Sequence, residues 1–404
     1  MPQGSGLRQT TYESQQNRKY ELPTTFDISP RLRRSLVFAA IVIVTRVAYF
    51  GLEYFMCRNF GSYQFVAPQV QPDGFLGALA RWDSQWYGTI AKDGYINRHQ
   101  CAFFPALPIA GKILVAASCN KINYVFALNL VSISALFLSV HLIAQETRCL
   151  IYDELAPHRK WCAWAMVFSP ASYFFLSGYA ESLTLLFTIA TFSESINSKY
   201  VKAAAAGLAA VTSPLGLATL LTFIACRFRL LQLENGSFTS LVREVCFSVV
   251  PFSIWLSFLY VQFKNPFVWA TAQHGWAREL TFPLLPLLQF QQQSAGPGWE
   301  IMRNMANLGA LIMILMLLIK FVVPVSLSKR STYGIIFAIL ATFSTVRNNG
   351  MMYAEAVYRH SFCNLWFQES LWVGLLGLRK PLMALTLCLM TVTDCMLILG
   401  YPLT

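Results

Sequence analysis

The chain has 404 residues, of which 55% are hydrophobic and only 12% charged, with a mean hydropathy of +0.48. Soluble domains carry about 25% charged residues, so this composition excludes an ordinary soluble fold and points to a polytopic membrane protein. The net charge of +12 reflects lysines and arginines gathered in short loops, and no DNA- or RNA-binding motif makes nucleic acid an expected partner.

Residues 1–34 are polar, carry Arg8, Arg18, Lys19, Arg31, Arg33 and Arg34, and lack the apolar core of a signal peptide. The apolar run 35–55, at about 20 residues, can cross a bilayer and reads as an uncleaved signal-anchor. The positive-inside rule then makes 1–34 a cytosolic tail. Residues 35–404 read as a single transmembrane domain, with far-side loops, lumenal or periplasmic, over 56–102 and 264–303.

The run 103–117 is apolar but short, is broken by Pro105 and Pro108, and carries Lys112. It reads as a re-entrant or interfacial piece packed under the first far-side loop. Spans are expected over 124–143, 161–178 and 183–195, the last two meeting at a far-side turn with Ser177, Gly178, Tyr179 and Glu181. The run 203–226 is interrupted at Thr212-Ser213-Pro214; a single span would put Arg227, Arg229 and Arg243 outside, so two short half-helices are expected. Further spans are read over 245–263, 305–323, 333–345, 362–376 and 382–401. The expectation is an all-α bundle of about nine full spans plus two broken elements.

Ten cysteines are scattered without a CxxC pair, so no zinc site is read, and neither metal nor cofactor is expected. Cys57 and Cys101 bracket the first far-side loop, where an oxidising compartment allows one disulfide. Asn235-Gly236-Ser237 fits the glycosylation pattern but falls on the cytosolic side, where it stays unmodified.

Against this apolar background Arg81-Trp82-Asp83-Ser84-Gln85-Trp86-Tyr87, running on to Ile90, Asp93, Gly94 and Tyr95, is polar and aromatic. Drawn as one helix over 76–91, it places Leu76, Leu79, Trp82, Trp86, Tyr87 and Ile90 on one arc, with Asp83 inside that arc and Arg81 opposite. A carboxylate on an apolar face is costly unless something there uses it. Other far-side polar residues are Glu181, the group Gln273, His274 and Trp276, and the arginines Arg347 and Arg359. Aromatic faces beside a carboxylate suit sugars, and arginines suit a phosphate.

Each has a plainer reading. Asp83 pairs with Arg81 or Lys92, although the projection argues against Arg81. Glu181 favours a helix N-terminus, His274 is solvated, Arg347 and Arg359 snorkel to headgroups, and Trp269 and Trp276 anchor at the interface.

The run Ala80-Arg81-Trp82-Asp83 with Ala91, Gly94 and Tyr95, then Ala102-Phe103-Phe104-Pro105-Ala106-Leu107-Pro108, resembles the first far-side loop of the GPI mannosyltransferase 2 (PIG-V) family and its prokaryotic relatives. These are polytopic glycosyltransferases of the GT-C class. Ser169-Pro170-Ala171-Ser172-Tyr173-Phe174-Phe175-Leu176-Ser177 with Tyr179, Glu181 and Ser182 resembles the next block, and Asn265-Pro266-Phe267 with Ala272, Gln273 and Trp276 a third. The likeness covers residues 80–280.

The resemblance implies a GT-C-type bundle that takes mannose from a dolichyl- or polyprenyl-phosphate donor and adds it to a glycolipid at the lumenal or periplasmic face. In the eukaryotic branch this adds the second mannose of the GPI core in α-1,6 linkage. Carried over by position, Asp83 is the general base and Glu181 binds acceptor or supports the base. The membrane is that of the endoplasmic reticulum in a eukaryote and the plasma membrane in a bacterium. Relatives have an arginine near Thr212-Ser213-Pro214-Leu215-Gly216 that this chain lacks; if that arginine touches donor phosphate, either Arg347 or Arg359 supplies the charge here or the donor differs. Arg81, Trp82, Trp86, Gln273, His274 and Trp276 complete the expected substrate contacts. The alternatives are a transporter or flippase of lipid-linked sugars, whose expected inverted repeats and mid-membrane charges are not evident, or an accessory subunit of a transferase.

Overall fold

The computed structural model describes residues 29–60, 74–146, 159–234, 237–276, 278–280, 298–322, 329–342, 344–348, 351–354, 356–374 and 379–398. The N-terminal residues 1–28, Asn235 and Gly236, and residues 277 and 281–297 of the expected second far-side loop lie outside the described residues.

Helix α1 (Pro30–Phe60) is followed by a single turn α2 (Phe75–Ala78), α3 (Asp83–Asp93), a 3-10 turn (Arg98–Ala102), α4 (Ala106–Ala117) and α5 (Tyr124–Gln145). Next come α6 (Arg159–Val167), the turn α7 (Tyr173–Leu176), α8 (Glu181–Phe192), α9 (Lys199–Ala210), α10 (Gly216–Glu234) and α11 (Phe238–Phe263). A turn α12 (Val268–Thr271), a second 3-10 turn (Ala272–Trp276) and strand β1 (Arg278–Leu280) lead to α13 (Gly298–Leu317), which ends in a π turn (Leu318–Val322). The chain closes with α14 (Lys329–Thr342), β2 (Ser344–Asn348), β3 (Met351–Ala354), α15 (Val357–Phe362), α16 (Leu365–Gly374) and α17 (Arg379–Ile398).

Among the described residues, four helices are long and apolar enough to cross a membrane, within α1, α5, α11 and α13. The shorter α4, α8, α14 and α17 also contain apolar stretches. The chain is thus a helical membrane protein. At 1.5 Å per residue the 12 residues of α4 reach about 18 Å, well short of a bilayer's hydrocarbon thickness. The Ala106 N–H donates to the carbonyl of Val211 at 3.0 Å, tying the start of α4 to the turn between α9 and α10.

That turn is the expected break at Pro214. A Cβ on Gly216 would lie 1.8 Å from the Ala209 carbonyl oxygen, so only glycine lets the chain double back this tightly. On α9 a Cβ at Gly207 would meet the Ser248 carbonyl oxygen at 2.2 Å, and its absence seats α9 against α11. At 19 residues, α10 is longer than the half-helix expected there.

Two expected spans are broken, buried elements instead. The run 161–178 stops at Val167, turns through Ser169-Pro170-Ala171, and resumes as the single turn α7. Pro170 offers no N–H to continue a helix. The run 362–376 is divided at Asn364, whose Oδ1 accepts from the N–H groups of Trp366 at 2.9 Å and Phe367 at 3.3 Å and so caps α16. Tyr173, Phe174, Phe175, Trp366, Phe367 and Trp372 from these segments are fully or almost fully buried in the largest hydrophobic core, together with Phe50 of α1. They are interior, where a lipid-facing span would expose such side chains.

The small antiparallel sheet β1-β2-β3 is an addition to the helical expectation. It pairs Arg278 with Val346 and Val346 with Tyr353, joining the second far-side loop to the segment after α14. The sequence does carry a hairpin signal there, Asn349-Gly350 between β2 and β3.

Candidate functional site

The single helix projected through 76–91 does not form. Its first turn ends at Ala78, and Trp82 adopts φ 51°, ψ −115°, a region that a bulky side chain rarely occupies, before α3 starts at Asp83. The phase is reset at Trp82, so Asp83 stands in the first turn of α3 rather than on an apolar arc. That end of a helix is electropositive and favours a carboxylate.

Buried tyrosines hold this strained corner. The Tyr179 hydroxyl donates to the Arg81 carbonyl at 3.1 Å and accepts from the Asp83 N–H at 3.3 Å. Tyr173 donates to the Ala78 carbonyl at 2.6 Å. At Gly178 a Cβ would sit 3.0 Å from Leu128 Cβ and 3.3 Å from Ser84 Cβ, so the turn before α8 lies directly against α3 and α5. This close approach carries Glu181, the first residue of α8, to the same place as Asp83.

Arg359 joins the two acids. It projects from the one-and-a-half-turn α15, which opens after Ala356 in the left-handed conformation at φ 58°. Its Nη1 lies 2.8 Å from Asp83 Oδ2 and its Nε 3.0 Å from Glu181 Oε1. The guanidinium also lies over the rings of Phe174 and Tyr179, each at 5.4 Å. Arg359 and Glu181 side chains are 7% and 10% exposed, whereas Asp83 is 24% exposed.

Burial pushes the Glu181 carboxyl above its usual range, with Arg359 pulling the other way and Asp83 adding to the rise. For Arg359, burial opposes the charge, but Glu181 and then Asp83 outweigh it and hold the guanidinium protonated. Burial likewise pushes the Tyr179 phenol up, so it stays a neutral donor.

Chemically, Asp83 has one oxygen fixed by Arg359 on a half-exposed side chain, which leaves the other for a proton from an incoming hydroxyl. Arg359 is a fixed, planar cation beside it and suits an anionic group. Asp83 therefore pairs with Arg359, and the alternatives Arg81 and Lys92 are not its partners. Arg81 instead donates from Nη2 to the Ile398 carbonyl at 3.1 Å.

The expected aromatic contacts also converge. Trp86 stacks on Phe103 with centroids 5.9 Å apart, and Trp276 stands edge-on to both, at 5.3 Å and 5.5 Å. The two far-side loops are latched here, because Trp276 Nε1 donates to the His99 carbonyl at 3.5 Å and a Cβ on Gly275 would meet the His99 ring. Gln273 is half-buried and His274 exposed on that same turn. Trp82 is half-buried against the main core with its indole N–H buried. Trp269 packs inward, edge-on to Phe104 at 5.5 Å, rather than standing at an interface. Arg347 lies in β2 opposite Met352, and its side chain falls outside the described atoms. Cys57 and Cys101 are both free thiols.

A second charged cluster escaped sequence reasoning. Arg46, in the middle of α1, is ion-paired to Asp394 of α17, lies 3.7 Å from Glu53, and donates from Nε to Ser172 Oγ at 3.2 Å. All three charged side chains are buried. Charges buried among the helices, not evident in the sequence reading, are therefore present: an arginine within the run 35–55 was itself the signal, since buried charges in apolar helices seek partners.

A family model described as mannosyltransferase (PIG-V) matches residues 47–268, a stretch that includes Asp83 and Glu181 but not Arg359. Mouse GPI alpha-1,6-mannosyltransferase 2 is 32% identical over 291 residues, covering 64% of this chain and 56% of its own length. The rat protein of that name is 27% identical over 295 residues with the same coverage, and the human one 30% identical over 148 residues, 32% of this chain and 29% of its own. The chain thus spans little more than half the length of the mouse and rat relatives. No solved structure gives a significant match. Because the matching stretch takes in more than half of the sequence, together with both acids of the site, the chain belongs to the PIG-V mannosyltransferase family.

Proposed function

We propose that this protein is an inverting mannosyltransferase that uses dolichyl- or polyprenyl-phosphate mannose to mannosylate a GPI-precursor-like glycolipid in α-1,6 linkage. The reaction takes place at the lumenal or periplasmic face. The observation that carries the reading is the junction of Asp83, Glu181 and Arg359, a partly exposed carboxylate beside a buried acid and a fixed cation.

Asp83 takes the proton of the acceptor hydroxyl, whose oxygen attacks C1 of the β-linked mannosyl phosphate. The C1–O bond to phosphate breaks with inversion, its electron pair leaves on the lipid phosphate, and an α linkage results. Lipid phosphate is a good leaving group, so no general acid is required. Arg359, or Arg347 from β2, supplies charge for the departing phosphate. Glu181 supports the base or holds acceptor, and Trp82, Trp86 and Trp276 with Gln273 and His274 offer ring faces and polar groups to sugars.

The test is transfer of labelled mannose from polyprenyl-phosphate mannose in membranes containing Asp83→Asn at wild-type abundance. Turnover is expected to fall by about 10²–10⁴-fold, the usual contribution of a positioned base. Near wild-type turnover would remove Asp83 from the mechanism.

The buried Arg46–Asp394 pair favours a second reading, a flippase of lipid-linked sugar, because transporters place charges inside the bundle. Reconstituted vesicles separate the two: a flippase moves the donor lipid across the bilayer without an acceptor, and a transferase does not.

A further inference from the structure

The residues that set the site are not confined to the stretch that the family model matches. Helix α17 lies far along the sequence from Asp83, yet its last two turns touch both sides of the acidic junction. Arg81, two residues before Asp83, donates to the carbonyl of Ile398 at 3.1 Å. Tyr358, the neighbour of Arg359, has its hydroxyl 3.0 Å from Thr393 Oγ1. The Thr393 hydroxyl donates to the Leu389 carbonyl at 2.8 Å, so in their contact Tyr358 is the donor, its one proton shared between Thr393 and the Pro170 carbonyl at 2.6 Å.

The segment has its own anchor. Asp394 is ion-paired to Arg46, and Arg46 reaches Ser172 at 3.2 Å, one residue before the Tyr173 that holds the Ala78 carbonyl. On another side of the helix Thr391 meets the Tyr49 hydroxyl at 2.9 Å, a contact with no route to the junction. Two neighbouring threonines of one helix therefore make similar bonds, one leading to Arg359 and the other only to α1.

We propose that the end of α17, through Thr393 and Ile398, is a positioning element for mannosyl transfer that fixes the spacing of Asp83 and Arg359. The inference rests on the reading of Asp83 as the base. A tyrosine hydroxyl set between two acceptors, the Pro170 carbonyl and Thr393 Oγ1, holds the start of α15. The guanidinium one residue later then meets Asp83 at one height. Without the Thr393 bond, α15 is held there by the Asn307 Oδ1 contact to the Tyr358 N–H at 2.9 Å and by the Pro170 bond.

The experiment compares Thr393→Val, Thr393→Ser and Thr391→Val with wild type and Asp83→Asn, at matched abundance, for kcat and donor KM. Thr393→Val is expected to lower kcat about tenfold with donor KM within about twofold, while Thr393→Ser restores kcat and Thr391→Val leaves it unchanged. Equal kcat loss in the two valine variants, no loss in either, or failure of serine to restore activity would overturn the proposal. Full turnover in Asp83→Asn would instead overturn the reading on which it stands, whatever the threonine variants show.

Discussion

Among the described residues, Arg46 and Arg359 each sit between an aspartate and a glutamate, and the two clusters differ in their setting. Arg46, Asp394 and Glu53 lie within long helices with side chains 0%, 0% and 4% exposed. Arg359, Asp83 and Glu181 stand at the ends of short elements, with Asp83 24% exposed. Charge composition is the same in both, so composition does not separate scaffold from chemistry. Chain breaks do: Trp82 at φ 51° and Ala356 at φ 58° flank the second cluster, and strain of this kind persists only where surrounding structure enforces it.

The largest effect that sharpens this contrast is expected at the enclosed cluster. Asp394→Ala leaves Arg46 buried with its Ser172 bond and, of the two acids, just Glu53 at 3.7 Å, and removing one partner of a buried pair costs about 3–5 kcal/mol. Thermal unfolding in detergent should show that loss, with activity falling only as folded protein falls. The opposite pattern, full stability with lost turnover per folded molecule, belongs to Asp83→Asn; finding it for Asp394→Ala would erase the distinction between the clusters.

Glu181→Gln comes next. It keeps the shape of the side chain but removes one of the two charges that hold Arg359. A charge-assisted contact contributes roughly 1.5–3 kcal/mol, which corresponds to about ten- to a hundredfold in rate if the contact matters at the transition state. Turnover should fall by that range with less effect on donor KM. An unchanged rate would make Glu181 a helix-end charge and nothing more.

The site residues were legible because their residue types were out of place. Asp83, Glu181 and Arg359 each stood out in apolar surroundings, and the two acids fall within matching motif blocks. What the sequence did not reveal was their contact, since Arg359 reaches Asp83 across 276 positions. The helical projection failed for a local reason: one residue, Trp82, reset the phase, and periodicity arguments assume no such break. Arg46 was legible in principle as a charge in an apolar run, but its partner lies 348 positions away. The runs 161–178 and 362–376 looked like spans because interior and lipid-facing segments have the same composition; Pro170 and Asn364, which break them, were visible but carried no sign of burial.

The smallest effect concerns the post that holds the strained corner. Tyr179→Phe keeps the ring over which Arg359 lies but removes the hydroxyl that bonds the Arg81 carbonyl and the Asp83 N–H. Tyr173→Phe removes a hydroxyl that bonds the Ala78 carbonyl, five residues before Asp83. Each bond lost is worth about 1 kcal/mol, so Tyr179→Phe, which loses two, should lower the unfolding temperature more than Tyr173→Phe, which loses one. Only Tyr179→Phe frees the backbone at Asp83, and it alone should reduce turnover, by about fivefold for that energy. Turnover measured per folded molecule decides the matter. If both variants slow transfer equally, the corner acts as one rigid unit and Asp83 is placed by packing of the whole 78–83 segment. If neither does, the strained geometry at Trp82 is held by the surrounding core and the hydroxyl of Tyr179 has no part in placing the base.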